Sequence, residues 1–218
     1  MKNKVTDIEN IKPLFKDGMR LMIGGFLGVG TPENIIDLII DMGLGNLTVI
    51  GNDSSYADRG IGRLIAGGRI KKYITTHLGT NPEAIKRYND KSMEVEFNPQ
   101  GTLIERIRAG GAGLGGVLTQ IGLGTLVEDG KRKIEIDGKE YILELPLRAD
   151  MALIRGSEVD PYGNTRYFGT SRNYNPTMAL AADTVIVQAE NIVDFGDVEP
   201  ENFVTPGVVV DYIIEGKK

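Results

Sequence analysis

The 218-residue sequence predicts an α/β fold in a single domain spanning residues 1–218: an open, mostly parallel sheet flanked by helices, with a small antiparallel hairpin excursion. Two observations predict it. Short, β-branched apolar runs alternate with segments of helical period, the pattern of strand–helix–strand crossovers. Later in the chain, Asp137-Gly138 separates two segments of alternating polarity, the strongest short-range hairpin signal.

Arg20 to Gly24 is the first predicted strand. Glu33 to Met42 reads as a helix, because Ile35, Ile36, Ile39 and Ile40 share one face while Asp37 and Asp41 leave it. Thr31 is the expected N-cap, with Pro32 at the first helical position. Leu47 to Gly51, Ile70 to Thr76 and Met93 to Asn98 are further strands, and Pro82 to Tyr88 and Thr102 to Ala109 further helices. In the second of these helices Leu103, Ile104 and Ile107 are expected to turn inward and Glu105, Arg106 and Arg108 outward to solvent. Each strand leads into a helix, so right-handed crossovers follow. After Ala112 the period changes: Ile134, Ile136, Tyr141 and Leu143 alternate within Lys131 to Glu144, the predicted hairpin. Met151 to Arg155 as strand, Asn175 to Ala182 as helix and Thr184 to Gln188 as strand then resume the alternation, with no internal repeat.

Composition narrows the function classes. The 25 basic and 30 acidic residues give a net charge of -5, which argues against a general grip on nucleic acid or an anionic membrane surface. With no cysteine, disulfides, thiolate nucleophiles and zinc–thiolate sites are excluded, and the single His77 leaves a multi-histidine metal site without ligands. No metal is expected. No apolar run has the length of a signal peptide core or a membrane span, so a cytoplasmic location is expected.

Glycine is in excess: 29 residues in 218 is roughly twice the usual share of about 7%. The most informative cluster lies between Asp17 and Pro32, where a buried strand runs into a glycine loop and then a helix. Such loops let main-chain N–H groups and a helix start meet an anion, because no Cβ blocks approach. The spacing G-G-x-x-G-x-G is neither the dinucleotide fingerprint nor the Walker loop. Taken alone, the loop reads as a contact for a phosphate-like or extended ligand near Gly24 to Gly30, or as a tight strand-to-helix turn and nothing more.

The whole pattern is more specific than its glycines. Asp17-Gly18, four residues, Ile23-Gly24-Gly25-Phe26, three residues, Gly30, one residue and Pro32 resembles the first signature of the family I CoA-transferases. A second block, Pro99-Gln100-Gly101-Thr102-Leu103-Ile104-Glu105-Arg106 through Gly113, resembles another of that family's blocks, and Gly79-Thr80-Asn81-Pro82 and Thr205-Pro206-Gly207 follow the same order. The similarity runs from about Asp17 to Ile214 and is strongest to α subunits of the acetate/butyrate–acetoacetate type.

The resemblance implies an enzyme that moves CoA between acetoacetyl-CoA or another acyl-CoA and short-chain carboxylates such as acetate and butyrate, by a ping-pong route through a glutamyl-CoA thioester. The family's nucleophilic glutamate sits in a Ser-Glu-Asn-Gly motif on the β subunit, and that tetrapeptide does not occur here. The nearest string, Ser157-Glu158-Val159-Asp160, differs at both positions after the glutamate, so Glu158 is expected to be a loop carboxylate. A β-subunit partner is therefore implied, in an α2β2 assembly. CoA is implied as a substrate that cycles on and off, with no tightly bound cofactor.

Site residues follow in the same way. Gln100, in the Pro-Gln-Gly block, is implied as the side-chain amide donor to the oxyanion. Gly24, Gly25, Phe26, Leu27, Gly28, Val29 and Gly30 are the expected CoA-binding loop. Asn52 ends a predicted strand, where open α/β sheets bind ligands, and is a candidate for the substrate pocket; turn chemistry explains Asn52-Asp53-Ser54 equally. His77 lines the same edge or packs, and Gly110 to Gly116 shapes the acyl site or a subunit contact. Two other readings stay open: a sugar-phosphate isomerase or deaminase of related fold, and a non-catalytic CoA-binding protein.

Overall fold

The computed structural model describes residues 2–216. A short helix α1 (Ile8–Ile11) precedes β1 (Arg20–Ile23), and α2 (Glu33–Asp41), β2 (Leu47–Ile50), α3 (Ile61–Ala66), β3 (Ile70–Thr75), α4 (Pro82–Asn89), β4 (Glu94–Phe97) and α5 (Gln100–Gly111) follow in alternation. Next come β5 (Val117–Thr119), β6 (Lys133–Ile136) and β7 (Lys139–Glu144). The chain finishes with β8 (Ala149–Val159), β9 (Thr165–Arg166), α6 (Asn175–Met178), β10 (Ala182–Ile192) and β11 (Tyr212–Glu215).

The main sheet has the order β11-β10-β8-β1-β2-β3-β4, every neighbouring pair parallel, with β9 antiparallel on the end of β8. The small sheet β5-β7-β6 is antiparallel, as the hairpin signal predicted, with Ile136 opposite Lys139 across the Asp137-Gly138 turn. The predicted fold class therefore stands. Because successive strand residues face opposite sides, β1 feeds two cores. Leu21 and Ile23 join Ile35, Ile36, Ile39, Leu64 and Ile65 under α2 and α3, while Met22 joins Leu103, Ile107 and Met178 under α5 and α6. All eleven are fully buried, at about 1.5–3 kcal/mol each.

Several expectations are corrected. The N-cap of α2 is Pro32, not Thr31; Pro32 has non-helical backbone angles, and Thr31 is buried with its hydroxyl turned in against Gly25. Arg106 is not on a solvent face: it is 8% exposed, because the chain after β7 returns across α5. Glu158 is not in a loop but is the penultimate residue of β8, paired at 3.1 Å with Arg166 on β9. The strands β8 and β10 are eleven residues each, much longer than predicted, and α6 stops at Met178. The elements α1, α3, β5, β9 and β11 lie outside the predicted set, although Ile61, Leu64 and Ile65 of α3 do share one buried face at helical spacing.

Candidate active site

From β1 the chain builds outward to β4 in one direction, and from β8 outward to β11 in the other. The boundary between β1 and β8 is thus a topological switch point, and the loops at the carboxyl ends of the neighbouring strands open there. The glycine loop leaves β1, Asn52-Asp53-Ser54-Ser55 leaves β2, His77 follows β3, and Gln100 follows β4. The parallel sheet brings to one edge the residues the sequence singled out at 24–30, 52, 77 and 100.

The loop after β1 is tied to β8 by a hydrogen bond from Gly24 N–H to the Leu153 carbonyl, 3.0 Å. Phe26 and Val29 then exchange two backbone hydrogen bonds of 2.9 Å around Leu27 (φ +51°) and Gly28 (φ +85°), a primed two-residue turn. A leucine in the left-handed region costs about 1–2 kcal/mol. Asp53 offsets this: its carboxylate accepts the Leu27 N–H at 3.1 and 3.2 Å. The same carboxylate accepts the N–H of Ser55, itself at φ +53°, at 2.7 Å.

Two of the loop glycines have reasons internal to the fold. A Cβ on Gly24 would lie 1.6 Å from Asn175 Oδ1, and one on Gly30 would lie 2.6 Å from the Ser171 carbonyl oxygen. Asn175, wholly buried, donates from Nδ2 to the carbonyls of Gly30 (3.0 Å) and Ser171 (2.7 Å), stitching the loop to the start of α6. Phe26 and Val29 face outward at the tip. The later cluster is similar: a Cβ on Gly110 would meet the Leu147 carbonyl at 1.9 Å, so the end of α5 needs glycine to pass that strand entry.

Gln100 is the first residue of α5 and its side chain is exposed. Its Nε2 donates to Asn52 Oδ1 at 2.9 Å, and its carbonyl accepts the Tyr174 hydroxyl at 2.7 Å. Burial, then the Asp53 carboxylate, pushes the Tyr174 hydroxyl far up, so it stays a donor. Asn52 is 1% exposed, with its own carbonyl accepting both threonine hydroxyls of Thr75 (3.2 Å) and Thr76 (2.6 Å). Its side chain reaches Gln100 rather than open solvent. Beside Gln100 lies an open groove of about 640 Å³, walled by Ile104, Arg108, Arg172, Tyr174 and Leu180 among others. His77 is exposed at the same edge, its ring against Gly79.

Two residues at this edge were missed. Asp53 is 5% exposed; burial raises its carboxyl above the usual range, against the pull of the Leu27 and Ser55 N–H groups and His77. Arg106 donates from Nη1 to Glu96 (2.7 Å) and to the Asn98 side chain, and from Nε to the Leu145 carbonyl (2.8 Å). Its Nε is also 3.9 Å from Glu144, which is 2% exposed and paired with Lys131 at 2.6 Å. For Glu96, burial works upward, but the Arg106 and Lys72 charges hold the carboxyl below its ordinary value. The signal for Arg106 was available: it stands three residues after Leu103 and one before Ile107, on the inward stripe. Among the described residues no group of three or more His, Cys, Asp or Glu side chains is placed to hold a metal, and no helix is long and apolar enough to cross a membrane.

Residues 5–216 match the family model described as coenzyme A transferase. The chain belongs to the coenzyme A transferase family. It is 55% identical over 215 residues to the acetoacetyl-CoA:acetate/butyrate CoA transferase alpha subunit of Clostridium acetobutylicum, covering 99% of each chain. To the acetate CoA-transferase subunit alpha of Escherichia coli K12 it is 49% identical over 214 residues, covering 98% of this chain and 97% of that one. An acyl-CoA transferase from E. coli O157:H7, solved as a thioester complex with CoA, superposes with a TM-score of 0.85 at 22% identity. That likeness covers 99% of this chain and 47% of the solved one, so this chain spans about half of that structure's length and nearly all of its two sequence relatives.

Proposed function

We propose that this chain is the α subunit of a heteromeric CoA-transferase, acting as one domain, that exchanges CoA between acetoacetyl-CoA or a similar acyl-CoA and the short-chain carboxylates acetate and butyrate. The observation that carries the reading is the 55% identity to the C. acetobutylicum alpha subunit along 99% of both chains. On this reading the nucleophilic glutamate belongs to a β subunit bearing Ser-Glu-Asn-Gly, in an α2β2 assembly in the cytoplasm. The carboxylate attacks the thioester carbonyl and expels CoA thiolate, leaving a mixed anhydride; the thiolate returns to the glutamyl carbonyl and releases the first acid; the second acid reverses these steps.

Each addition puts negative charge on a carbonyl oxygen, and Gln100 is this chain's donor to it. One Nε2 hydrogen is committed to Asn52, which leaves the other for an oxyanion at the groove mouth. A neutral amide makes that bond without giving up a proton, so it serves every step of a reversible exchange alike. Asn52 supports the substrate pocket from behind by holding Gln100, and the loop from Gly24 to Gly30 is the CoA contact, with exposed Phe26 and Val29 at its tip. The test is exchange from acetoacetyl-CoA to acetate and to butyrate by this chain mixed with its β partner. Turnover with both acids is expected; turnover with neither would send the search to other acyl donors.

A further inference from the structure

The Gln100 amide does not orient itself: behind it stands a chain of side chains, each set by the next. Gln100 Nε2 donates to Asn52 Oδ1 at 2.9 Å, and Asn52 Nδ2 faces Asp53 Oδ2 at 3.5 Å. Asn52 and Asp53 are 1% and 5% exposed. An amide has one accepting end and one donating end, and which way it points is decided by its neighbours. A buried carboxylate beside Asn52 admits only one orientation, the NH2 toward Asp53 and the oxygen toward Gln100. The opposite orientation sets the Asn52 oxygen against the buried Asp53 carboxylate, and NH2 against the NH2 of Gln100.

We propose that Asp53 is a positioning residue for the transfer reaction: its carboxylate fixes the Asn52 amide, and through it aims the free N–H of Gln100 at the reacting carbonyl. The inference rests on Gln100 being the oxyanion donor. Asp53 does this while clamping two strained backbone positions, Leu27 and Ser55, so the glycine loop and the Gln100 amide share one anchor.

The informative variant is Asp53→Asn. The new side chain keeps an oxygen for the Leu27 and Ser55 N–H groups, and it removes a charge that burial disfavours, so the fold is expected to survive. Its NH2 replaces the oxygen that faced Asn52, which makes Asn52 turn over and present its own NH2 to Gln100. The experiment measures kcat and KM for acetate in the reconstituted complex for Asp53→Asn, Gln100→Ala and the double variant. Asp53→Asn is expected to lower kcat at least about tenfold with KM unchanged, and the double variant to be no slower than Gln100→Ala alone, because a residue acting only through another is silent once that one is gone. Losses that multiply in the double variant, or full turnover of Asp53→Asn while Gln100→Ala is impaired, overturn the proposal. Full turnover of Gln100→Ala instead overturns the oxyanion reading and takes this inference with it. If Asp53→Asn does not assemble, the same cycle run with Asn52→Ala decides: equal loss in the single and double variants supports the relay, and multiplied loss overturns it.

Discussion

At the carboxyl edge of the main sheet, Asn52, Asp53, Ser54 and Ser55 are each no more than 5% exposed, and every one of their side chains but the Ser55 hydroxyl is hydrogen-bonded. Around the small antiparallel sheet, Leu118, Ile121, Leu126, Ile136 and Leu145 are between 39% and 89% exposed. The first region is held from several directions by buried polar groups, which fix orientation as well as place. The second is tied down at its inner corner, where Lys131, Glu144 and Arg106 meet. Precision here follows from how many directions a side chain is held from, and not from belonging to a regular element.

The comparison breaks most visibly at Arg106, which ties the end of β4, at Glu96 and Asn98, to the small sheet at Leu145 and Glu144. Arg106→Met leaves Glu144 and Glu96 without their buried partner and is expected to cost about 3 kcal/mol of stability, read as a shift in urea midpoint. Hydrogen exchange should rise first in β7; an unshifted midpoint would mean the small sheet is held by something else. Gln100→Ala acts at the other region alone. It is expected to raise the barrier by about 2.7–4 kcal/mol, a fall in kcat of roughly 100- to 1000-fold, with assembly and stability intact; unchanged turnover would remove the amide from the mechanism.

Gly30→Ala tests whether the loop glycines serve the fold. A methyl there sits at φ +77° and meets the Ser171 carbonyl at 2.6 Å, so a loss of about 2 kcal/mol in stability is expected. A variant as stable as the parent but unable to bind CoA would return that glycine to the ligand. The smallest effect is expected at Leu126→Ser, 89% exposed, within about 0.5 kcal/mol by the same denaturation measurement.

Much of this was legible from residues alone. The period of Ile35, Ile36, Ile39 and Ile40 located α2, Asp137-Gly138 located the hairpin, and the strand ends put Asn52, His77 and Gln100 on one edge. The contact between Gln100 and Asn52 spans 48 positions, and no local spacing records it. Asp53 reads as turn chemistry because its two strained clients, Leu27 and Ser55, reveal themselves only in backbone angles. Arg106 shows the limit of composition: an arginine on an inward stripe is assigned to solvent until the strand after it folds back and supplies carboxylates. The length of β8 and β10 was hidden by polar residues, Ser157 and Glu158 in the first and Glu190 and Asn191 in the second, that continue a strand whose apolar run has ended.

In the proposed division of the chemistry between two chains, this one supplies an amide and part of the walls, and its partner the nucleophile. Intact-mass spectrometry on the reconstituted complex, quenched after mixing with acetoacetyl-CoA, tests that division directly. A CoA-sized increment is expected on the partner chain and none on this 23.7 kDa chain. An increment on this chain would place the nucleophile here and contradict it.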